Sequence, residues 1–136
     1  MVVLTAQGSG RFEKMGSYSR AKRVGPFVYI AGTTSMHNGE LQSPFDIYAQ
    51  SIFIFDQIEK ALGAVGAEMR HVVRTKAYVT DMRDAGGFIK AHGELFKDIE
   101  PVLTGVQAGL TTPGMMVEIE VDAIIHDENG KIDYGQ

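Results

Sequence analysis

The sequence predicts an α+β domain in which two helices pack on one sheet. Segments with the period of about 3.6 residues that is typical of an amphipathic helix alternate with segments that have the period of two of a strand. The chain has 136 residues, of which 44% are hydrophobic and 22% charged, a composition that suits one compact domain. We therefore expect a single domain over residues 1–136, with a flexible leader at about 1–10 and a loose tail at about 128–136.

The first clear strand is predicted at FVYIAG, residues 27–32, which is rich in β-branched and aromatic residues and ends at a glycine. The following HNGE contains an Asn-Gly pair, which indicates a turn. The preceding segment, residues 10–25, has room for an additional strand that forms a hairpin with 27–31. The N-terminal part of the sheet is therefore expected to be a hairpin.

The best predicted helix lies in SPFDIYAQSIFIFDQIEKALGAVG, residues 43–66. Ser43 is the expected N-cap, Pro44 the first helical residue, and Asp46 stands three residues after the cap. Apolar residues then recur at spacings of three and four, as one face of a helix requires: Tyr48, Ile52, Phe55, Ile58, Leu62 and Val65.

A strand, a weaker helix and two final strands are predicted to follow. Residues 71–81 alternate with period two, with Val73, Thr75, Ala77 and Val79 on one side. Asp84 is the expected cap of a helix over 85–98, whose apolar stripe is weakened by three glycines. The last two strands are predicted in residues 101–109 and 115–127, with a turn at TTPG between them.

The last strand carries three carboxylates, Glu118, Glu120 and Asp122, at alternate positions and therefore on one face. One explanation is a solvated face on which these acids pair with Arg74 and Lys76. The other is a buried face, where bases, backbone amides or a ligand must offset the cost of desolvation. FVYIA is apolar on both of its faces, so two helices cover only one, and a partner subunit is the simplest cover for the other.

Composition disfavours several classes of function. The net charge is −4 and the 13 Lys and Arg are scattered, so we expect no nucleic-acid partner. No apolar run approaches the roughly 18 residues of a membrane span, and the start lacks the pattern of a signal peptide. The absence of cysteine excludes a thiol nucleophile and suits the cytoplasm. We expect no metal, because the histidines share no ligand spacing: His37, His71, His92 and His126.

Segments in the same order along the chain resemble the RidA family, also called the YjgF family: GSYSRAKRVGPFVYIAG, the amphipathic helix ending in ALGAVGAEMRHVVRTKAYVTDM, and PVLTGVQAGLTTPGMMVEIEVDAI. The resemblance covers roughly residues 14–126. It implies a chorismate-mutase-like fold with one mixed sheet, and a homotrimer whose sheets form a central barrel with ligand clefts between subunits. It also implies hydrolysis of reactive imines and enamines, such as 2-aminoacrylate, to a 2-keto acid and ammonia, with no cofactor or metal.

The family's site transfers to this chain with some positions retained and others altered. Glu118 matches the glutamate that holds or activates the attacking water, and Tyr18 matches the tyrosine of a Gly-Pro-Tyr stretch, with Ser17 replacing the proline. The arginine that binds the substrate carboxylate is replaced by Leu103. The other substrate-binding positions implied by the resemblance are Ala31 in place of a serine, Gly32, Lys90 in place of an asparagine, Thr104, and Gly105 in place of a cysteine.

The missing arginine leaves three hypotheses about function. A leucine offers no donor to a carboxylate, and losing one partner of a buried charge pair costs about 2 to 5 kcal/mol. We expect a hydrolase of reactive imines or enamines with an altered small-molecule substrate; Lys90 could receive a carboxylate, or Leu103 and Gly105 could shape a pocket for a neutral ligand. The alternatives are a non-catalytic, metabolite-binding trimer and an endoribonuclease-like activity, which the acidic charge disfavours.

Overall fold

A computed structural model describes residues 2–8 and 10–135 of the chain. The described residues form eight strands and three helices, in this order: β1 (Val3–Ala6), α1 (Arg11–Gly16), β2 (Ala21–Val24), β3 (Phe27–Thr33), β4 (Met36–His37), β5 (Glu40–Leu41), α2 (Ile47–Ala64), β6 (Val72–Val79), α3 (Ala85–Leu95), β7 (Val102–Gln107) and β8 (Val117–Ile124). Short 3-10 turns at Met69–His71 and Met82–Asp84 precede β6 and α3.

Six of these strands form one mixed sheet in the order β1-β2-β3-β8-β6-β7. Neighbours are antiparallel except β6 and β7, which run parallel and are joined through α3. β4 and β5 form a separate small hairpin, in which Asn38 and Gly39 have φ of 51° and 83° and make the predicted turn. The predicted α+β architecture, with one mixed sheet and two main helices, is confirmed.

The core lies between α2, α3 and one face of the sheet. In β8 the residues alternate between buried positions that face the helices and half-buried positions on the other face. Phe55 of α2 packs against the rings of Phe88 and Phe96, with centroids 6.3 and 5.2 Å away. Neither α2 nor α3 lies on the second face of the sheet, which carries the acid row of β8 and which we call the helix-free face.

Val3–Ala6, which lies within the leader predicted at 1–10, pairs antiparallel with β2 as an edge strand. The additional strand predicted within residues 10–25 is limited to Ala21–Val24, which pairs with β3, and Arg11–Gly16 forms the helix α1. Buried Glu13 links these parts, because its Oε1 accepts the Gly8 N–H at 2.7 Å and its Oε2 lies 3.0 Å from Arg20 Nε. Met1 and Ser9 of the expected leader lie outside the described residues.

The predicted loose tail is partly ordered. His126 and Ile132 form an isolated bridge, and the Asp127 carboxylate accepts the N–H groups of Asn129 and Lys131 at 2.9 Å each. Gln136 lies outside the described residues. The chain therefore continues past β8 as a closed turn.

α2 begins later than predicted. Its N-cap is Asp46, whose Oδ1 accepts the Ala49 N–H at 3.0 Å, and not Ser43. Ser43 and Phe45 have φ of 51° and 62°, a left-handed conformation that a helix excludes. The Gln50 amide fixes this turn by donating to the Ser43 carbonyl at 2.9 Å. Tertiary hydrogen bonds therefore overrule a good local capping signal.

Two smaller predictions also need correction. The alternation of β6 holds from Thr75 to Val79, but a register shift between Val72 and Arg74 turns Val73 outward, to 37% exposure. α3 retains Asp84 as its N-cap residue without a side-chain hydrogen bond, and it ends at Leu95.

Candidate functional site

The acid row on the helix-free face is only partly explained by cross-strand pairing. Tyr78 donates its hydroxyl to Glu120 Oε1 at 2.8 Å, and Arg74 Nε lies 3.8 Å from Asp122 Oδ2. Glu118 stands opposite Tyr78 in the register and makes neither contact. The solvated-pair explanation therefore suits Glu120 and Asp122 and leaves Glu118 as the candidate for chemistry.

Glu118 rests against a bulge in the neighbouring strand β3. Ile30 pairs with Val121 and Thr33 with Ile119, so Ala31 and Gly32 together oppose the single residue Glu120. A Cβ added to Gly32 would lie 3.0 Å from the Glu118 carboxyl carbon. A side chain at Gly32 would press on the Glu118 carboxylate, so the bulge and Glu118 form one local unit.

A charged group adjoins this unit. Arg20 Nη1 donates to the Gly32 carbonyl at 2.8 Å, and the Arg20 guanidinium lies 5.8 Å from the centroid of the Tyr18 ring. Tyr18 is 44% exposed and follows α1, whose C-cap, Ser17, is left-handed with φ of 58°. We call Tyr18, Arg20, Ala31, Gly32 and Glu118 the Glu118 cluster.

Electrostatics in this cluster favour acid–base chemistry. Burial raises the pKa of Glu118, the positive charge of Arg20 opposes that rise, and the nearby Glu120 adds to it. A carboxylate with a raised pKa is a better proton acceptor near neutral pH than an ordinary solvated one. A carboxylate in this environment is chemically suited to exchange a proton with a ligand.

Leu103, which is expected to replace the family's arginine, lies on the other side of the sheet from Glu118. Leu103 and Gly105 of β7 pair with Thr75 and Ala77, which are buried on the helix side. Leu103 and Gly105 line an apolar groove of about 230 Å³, which we call the β7 groove. Its other walls are Ala77, Val79, Met82, Ala85, Phe88 and Ile89.

Two further predicted residues lie away from this groove. Thr104 alternates with Leu103 and Gly105 and so lies on the helix-free face, beside Lys76. Lys90 is exposed on α3 and its Nζ lies 4.7 Å above the ring of Tyr48, whose hydroxyl donates to Glu94. The α3 side chains at the groove are instead apolar.

The predicted site residues therefore form two separated sets. Tyr18, Ala31, Gly32 and Glu118 belong to the Glu118 cluster, whereas Leu103 and Gly105 belong to the β7 groove, with the sheet between them. One chain alone does not bring the two sets together. Arg20 was not identified from the sequence. A signal was present, because Arg20 and Lys22 are two residues apart and therefore point to the same face of the sheet, which is also the face of Glu118.

In residues 2–8 and 10–135, no three His, Asp or Glu side chains gather to hold a metal ion. No helix within these ranges has both the length and the apolar character to cross a lipid bilayer.

A mixed sheet with this strand order and two helices on one face is a chorismate-mutase-like α+β fold. The chain belongs to the RidA (YjgF) family: the family model described as Endoribonuclease L-PSP matches residues 9–125. The resemblance found in the sequence is thus confirmed.

Relatives and a solved structure agree with this assignment. An uncharacterized protein of Streptomyces coelicolor is 30% identical over 122 residues, 89% of this chain and 91% of that protein. A RutC family protein of Pyrococcus abyssi is 27% identical over 111 residues, 80% of this chain and 87% of that protein. The crystal structure of a YjgF/YER057c/UK114 family member from Mycobacterium tuberculosis has a TM-score of 0.82 and 38% identity, over 91% of this chain and 100% of that one.

Proposed function

We propose that this protein hydrolyses reactive imines or enamines and releases ammonia, in clefts between the subunits of a homotrimer. The observation that carries the proposal is Glu118, a half-buried carboxylate with a raised pKa that rests against the Gly32 bulge on a face left open by the helices. Its strand neighbours Glu120 and Asp122 have partners on β6, so the contact with the bulge is particular to Glu118, whereas Asp122 also has a pKa raised by burial.

The proposed reaction is a general-base hydrolysis. Glu118 accepts a proton from water as the water oxygen bonds to the carbon of the protonated imine, which gives a neutral carbinolamine. Glu118 then returns this proton to the amine nitrogen. The C–N bond breaks as Glu118 accepts the proton of the hydroxyl group, and a carbonyl compound and ammonia leave. An enamine enters the same path after it tautomerises to the imine. Tyr18, half exposed beside Arg20, would orient the substrate.

The β7 groove sets the expected substrate class. We propose that a cleft consists of the Glu118 cluster of one subunit and the β7 groove of the next, since these sets lie on opposite sides of the sheet in one chain. All eight residues that line the groove are uncharged and most are apolar. A substrate with a neutral or apolar group at that end is therefore favoured over a small carboxylate.

A comparison of two imine sources tests the activity and this preference. An amino acid oxidase generates imines that carry a carboxylate, and an amine oxidase generates neutral ones. The protein should accelerate ammonia release from at least one series, and more strongly from the neutral series. No acceleration over buffer in either series would contradict the proposed hydrolase.

A non-catalytic, metabolite-binding trimer is the second candidate, and Leu103 at the position of the carboxylate-binding arginine favours it. It predicts that a ligand raises the melting temperature without being consumed. An endoribonuclease activity, suggested by the name of the family model, is less well supported because the net charge is −4 and the open sheet face carries an acid row. RNA cleavage by nuclease-free protein, lost in Glu118→Gln, would favour it instead.

A further inference from the structure

The bulge in β3 needs partners for the backbone groups that it removes from the strand ladder. Ala31 and Gly32 share one opposing residue, so their carbonyls cannot both take part in regular pairing with β8. The Ala31 carbonyl accepts the Thr33 hydroxyl at 2.8 Å, and the Gly32 carbonyl accepts Arg20 Nη1 at 2.8 Å. Side chains therefore hold the bulge in place.

Arg20 also forms a partly buried ion pair with Glu13. Its Nε lies 3.0 Å from Glu13 Oε2, and the Arg20 and Glu13 side chains are only 22% and 6% exposed. The other Glu13 oxygen accepts the Gly8 N–H, which links Gly8 to the pair. A partly buried ion pair with additional hydrogen bonds fixes the guanidinium far better than an exposed pair would.

The Arg20 guanidinium and the Glu118 carboxylate adjoin the same residue. Arg20 binds the carbonyl of Gly32, and Glu118 occupies the space in which a Gly32 side chain would lie. Arg20 thus contacts the backbone that supports Glu118, and it also brings a positive charge to a half-buried carboxylate.

We propose that Arg20 is a positioning residue for Glu118: it holds the Ala31–Gly32 bulge against which the carboxylate rests and places a guanidinium charge beside it. For its catalytic consequence this inference rests on the proposed hydrolase. The structural part, a link from Arg20 through Gly32 to Glu118, stands independently.

The charge environment of Glu118 is defined by few groups. Arg20, from the segment before β2, favours its ionised form, Glu120 of β8 disfavours it, and Tyr78 of β6 stands opposite it. Glu13 faces Arg20 and neutralises part of its charge. Removing Arg20 leaves burial and Glu120 unopposed, so the pKa of Glu118 should rise further.

The experiment titrates the Glu118 carboxyl carbon by NMR in the full-length parent, Arg20→Gln, Arg20→Lys and the control Lys22→Gln. Glu118→Gln assigns the resonance. Lys22 is exposed on the same strand face as Arg20 and should leave the titration unchanged. Arg20→Gln should move the Glu118 midpoint to higher pH. Arg20→Lys keeps the positive charge but loses the planar guanidinium group. In this variant the Glu118 titration midpoint should therefore stay closer to that of the parent.

Turnover gives the second measurement. Arg20→Gln should shift the acid limb of the pH–rate profile to higher pH, in parallel with the Glu118 midpoint measured by NMR. Arg20→Lys should lower kcat more than about threefold because the bulge is no longer held. An unchanged Glu118 titration in folded Arg20→Gln would overturn the inference. If Arg20→Gln does not fold, an Arg20→Lys variant that matches the parent in kcat and in titration would overturn it as well.

The same design separates this inference from the proposed function. A parent that releases no ammonia from any imine, with a Glu118 titration that responds to Arg20, would refute the hydrolase and leave the inference standing. If the parent releases ammonia but the Glu118 titration is the same with and without Arg20, the hydrolase stands and this inference is refuted.

Discussion

Glu118 differs from the other acids in its row by what it contacts. Glu120 accepts the Tyr78 hydroxyl and Asp122 lies near Arg74, so both have partners on β6. Glu118 instead adjoins a glycine bulge with Arg20 beyond it. A row of three similar residues therefore divides into two structural positions and one candidate base.

The roles of Glu118 and Glu120 can be distinguished by replacing each carboxylate with a carboxamide. Glu118→Gln should lower imine hydrolysis by about 100-fold or more, because general-base catalysis contributes about 10² to 10⁴ and a carboxamide accepts no proton near neutral pH. Glu120→Gln should stay within about threefold of the parent, since its role is the hydrogen bond with Tyr78. Steady-state ammonia release checks both. The opposite ranking would show that the wrong acid was assigned to the cleft.

Glu118 should also make the free energy of unfolding depend on pH. Its pKa is raised in the folded state, so the folded protein binds this proton more tightly than the unfolded chain does. The resulting stability is present at pH below the unfolded pKa and is lost as pH rises through the folded pKa. The Glu118→Gln variant should therefore have a larger free energy of unfolding than the parent at pH 8. This difference should vanish toward pH 4, roughly the ordinary glutamate pKa.

Urea denaturation of both proteins at several pH values measures this difference. Asp122→Asn is a useful comparison, because burial also raises the pKa of Asp122 while Arg74 opposes the rise. A gain for Glu118→Gln that grows toward acid pH would contradict the direction argued here.

Leu103→Arg tests the altered position. Leu103 is 37% exposed at the rim of the β7 groove, so an arginine there has access to solvent and should fold. In a cleft shared between subunits it should bind a small carboxylate, so pyruvate should raise the melting temperature of the variant but not of the parent. Ammonia release from imines that carry a carboxylate should rise in parallel.

Val102→Arg provides the control for added charge. Val102 is 58% exposed on the same strand, and its side chain points to the opposite face. If Leu103→Arg folds yet gives neither response, or if Val102→Arg gives both, position 103 does not face the ligand.

The sequence could predict part of this site and not the rest. Glu118 and Tyr18 stand in segments that resemble family motifs, so their types and positions were readable. Arg20 was not, because its role depends on a bulge at Ala31 and Gly32 that ordinary strand alternation does not reveal. The α3 residues at the groove were missed because Lys90 turns toward Tyr48.

At the scale of elements, periodicity predicted the segments that bury one continuous face. α2, α3, β3, β6 and β8 form where the pattern indicated them, and so does β7, although most of its residues are exposed. β1 and α1 escaped prediction because each is short and depends on the Glu13 contacts with Gly8 and Arg20, which are tertiary. Boundaries moved where left-handed residues or bulges interrupted a pattern.

The start of α2 supplies a quantitative test of one such boundary. Asp46→Ala removes the acceptor of the Ala49 N–H and should lower the free energy of unfolding by about 1 kcal/mol. Ser43→Ala should change it by less than about 0.5 kcal/mol, because the Ser43 carbonyl, and not its hydroxyl, makes the contact with Gln50. Urea denaturation distinguishes them. Equal losses would return Ser43 to the role of cap.

At the scale of the whole molecule, one chain exposes surface that a partner would cover. Phe27 and Tyr29 on the helix-free face are 47% and 53% exposed, and Val102 on the edge strand β7 is 58% exposed. β7 has no strand on its outer side within the described sheet. Such a face and edge favour self-association, so we predict a homotrimer at micromolar concentration, to be measured by light scattering.

The trimer makes a prediction that a monomeric site does not. If each cleft takes Glu118 from one subunit and the β7 groove from the next, two inactive variants should complement each other. Glu118→Gln removes the base and keeps the groove. Gly105→Leu should fill the groove while folding normally, because a Cβ at Gly105 meets nothing within 4 Å.

When the two variants are unfolded together in equal amounts and refolded, each cleft combines its halves at random. About a quarter of the clefts then pair an intact Glu118 cluster with an intact groove, so ammonia release should recover to about a quarter of the parental rate. Mixing without unfolding should recover less, since it requires subunit exchange. A refolded mixture of trimers with no recovery would mean that both halves of the site come from one chain, which the sheet between Glu118 and Gly105 argues against.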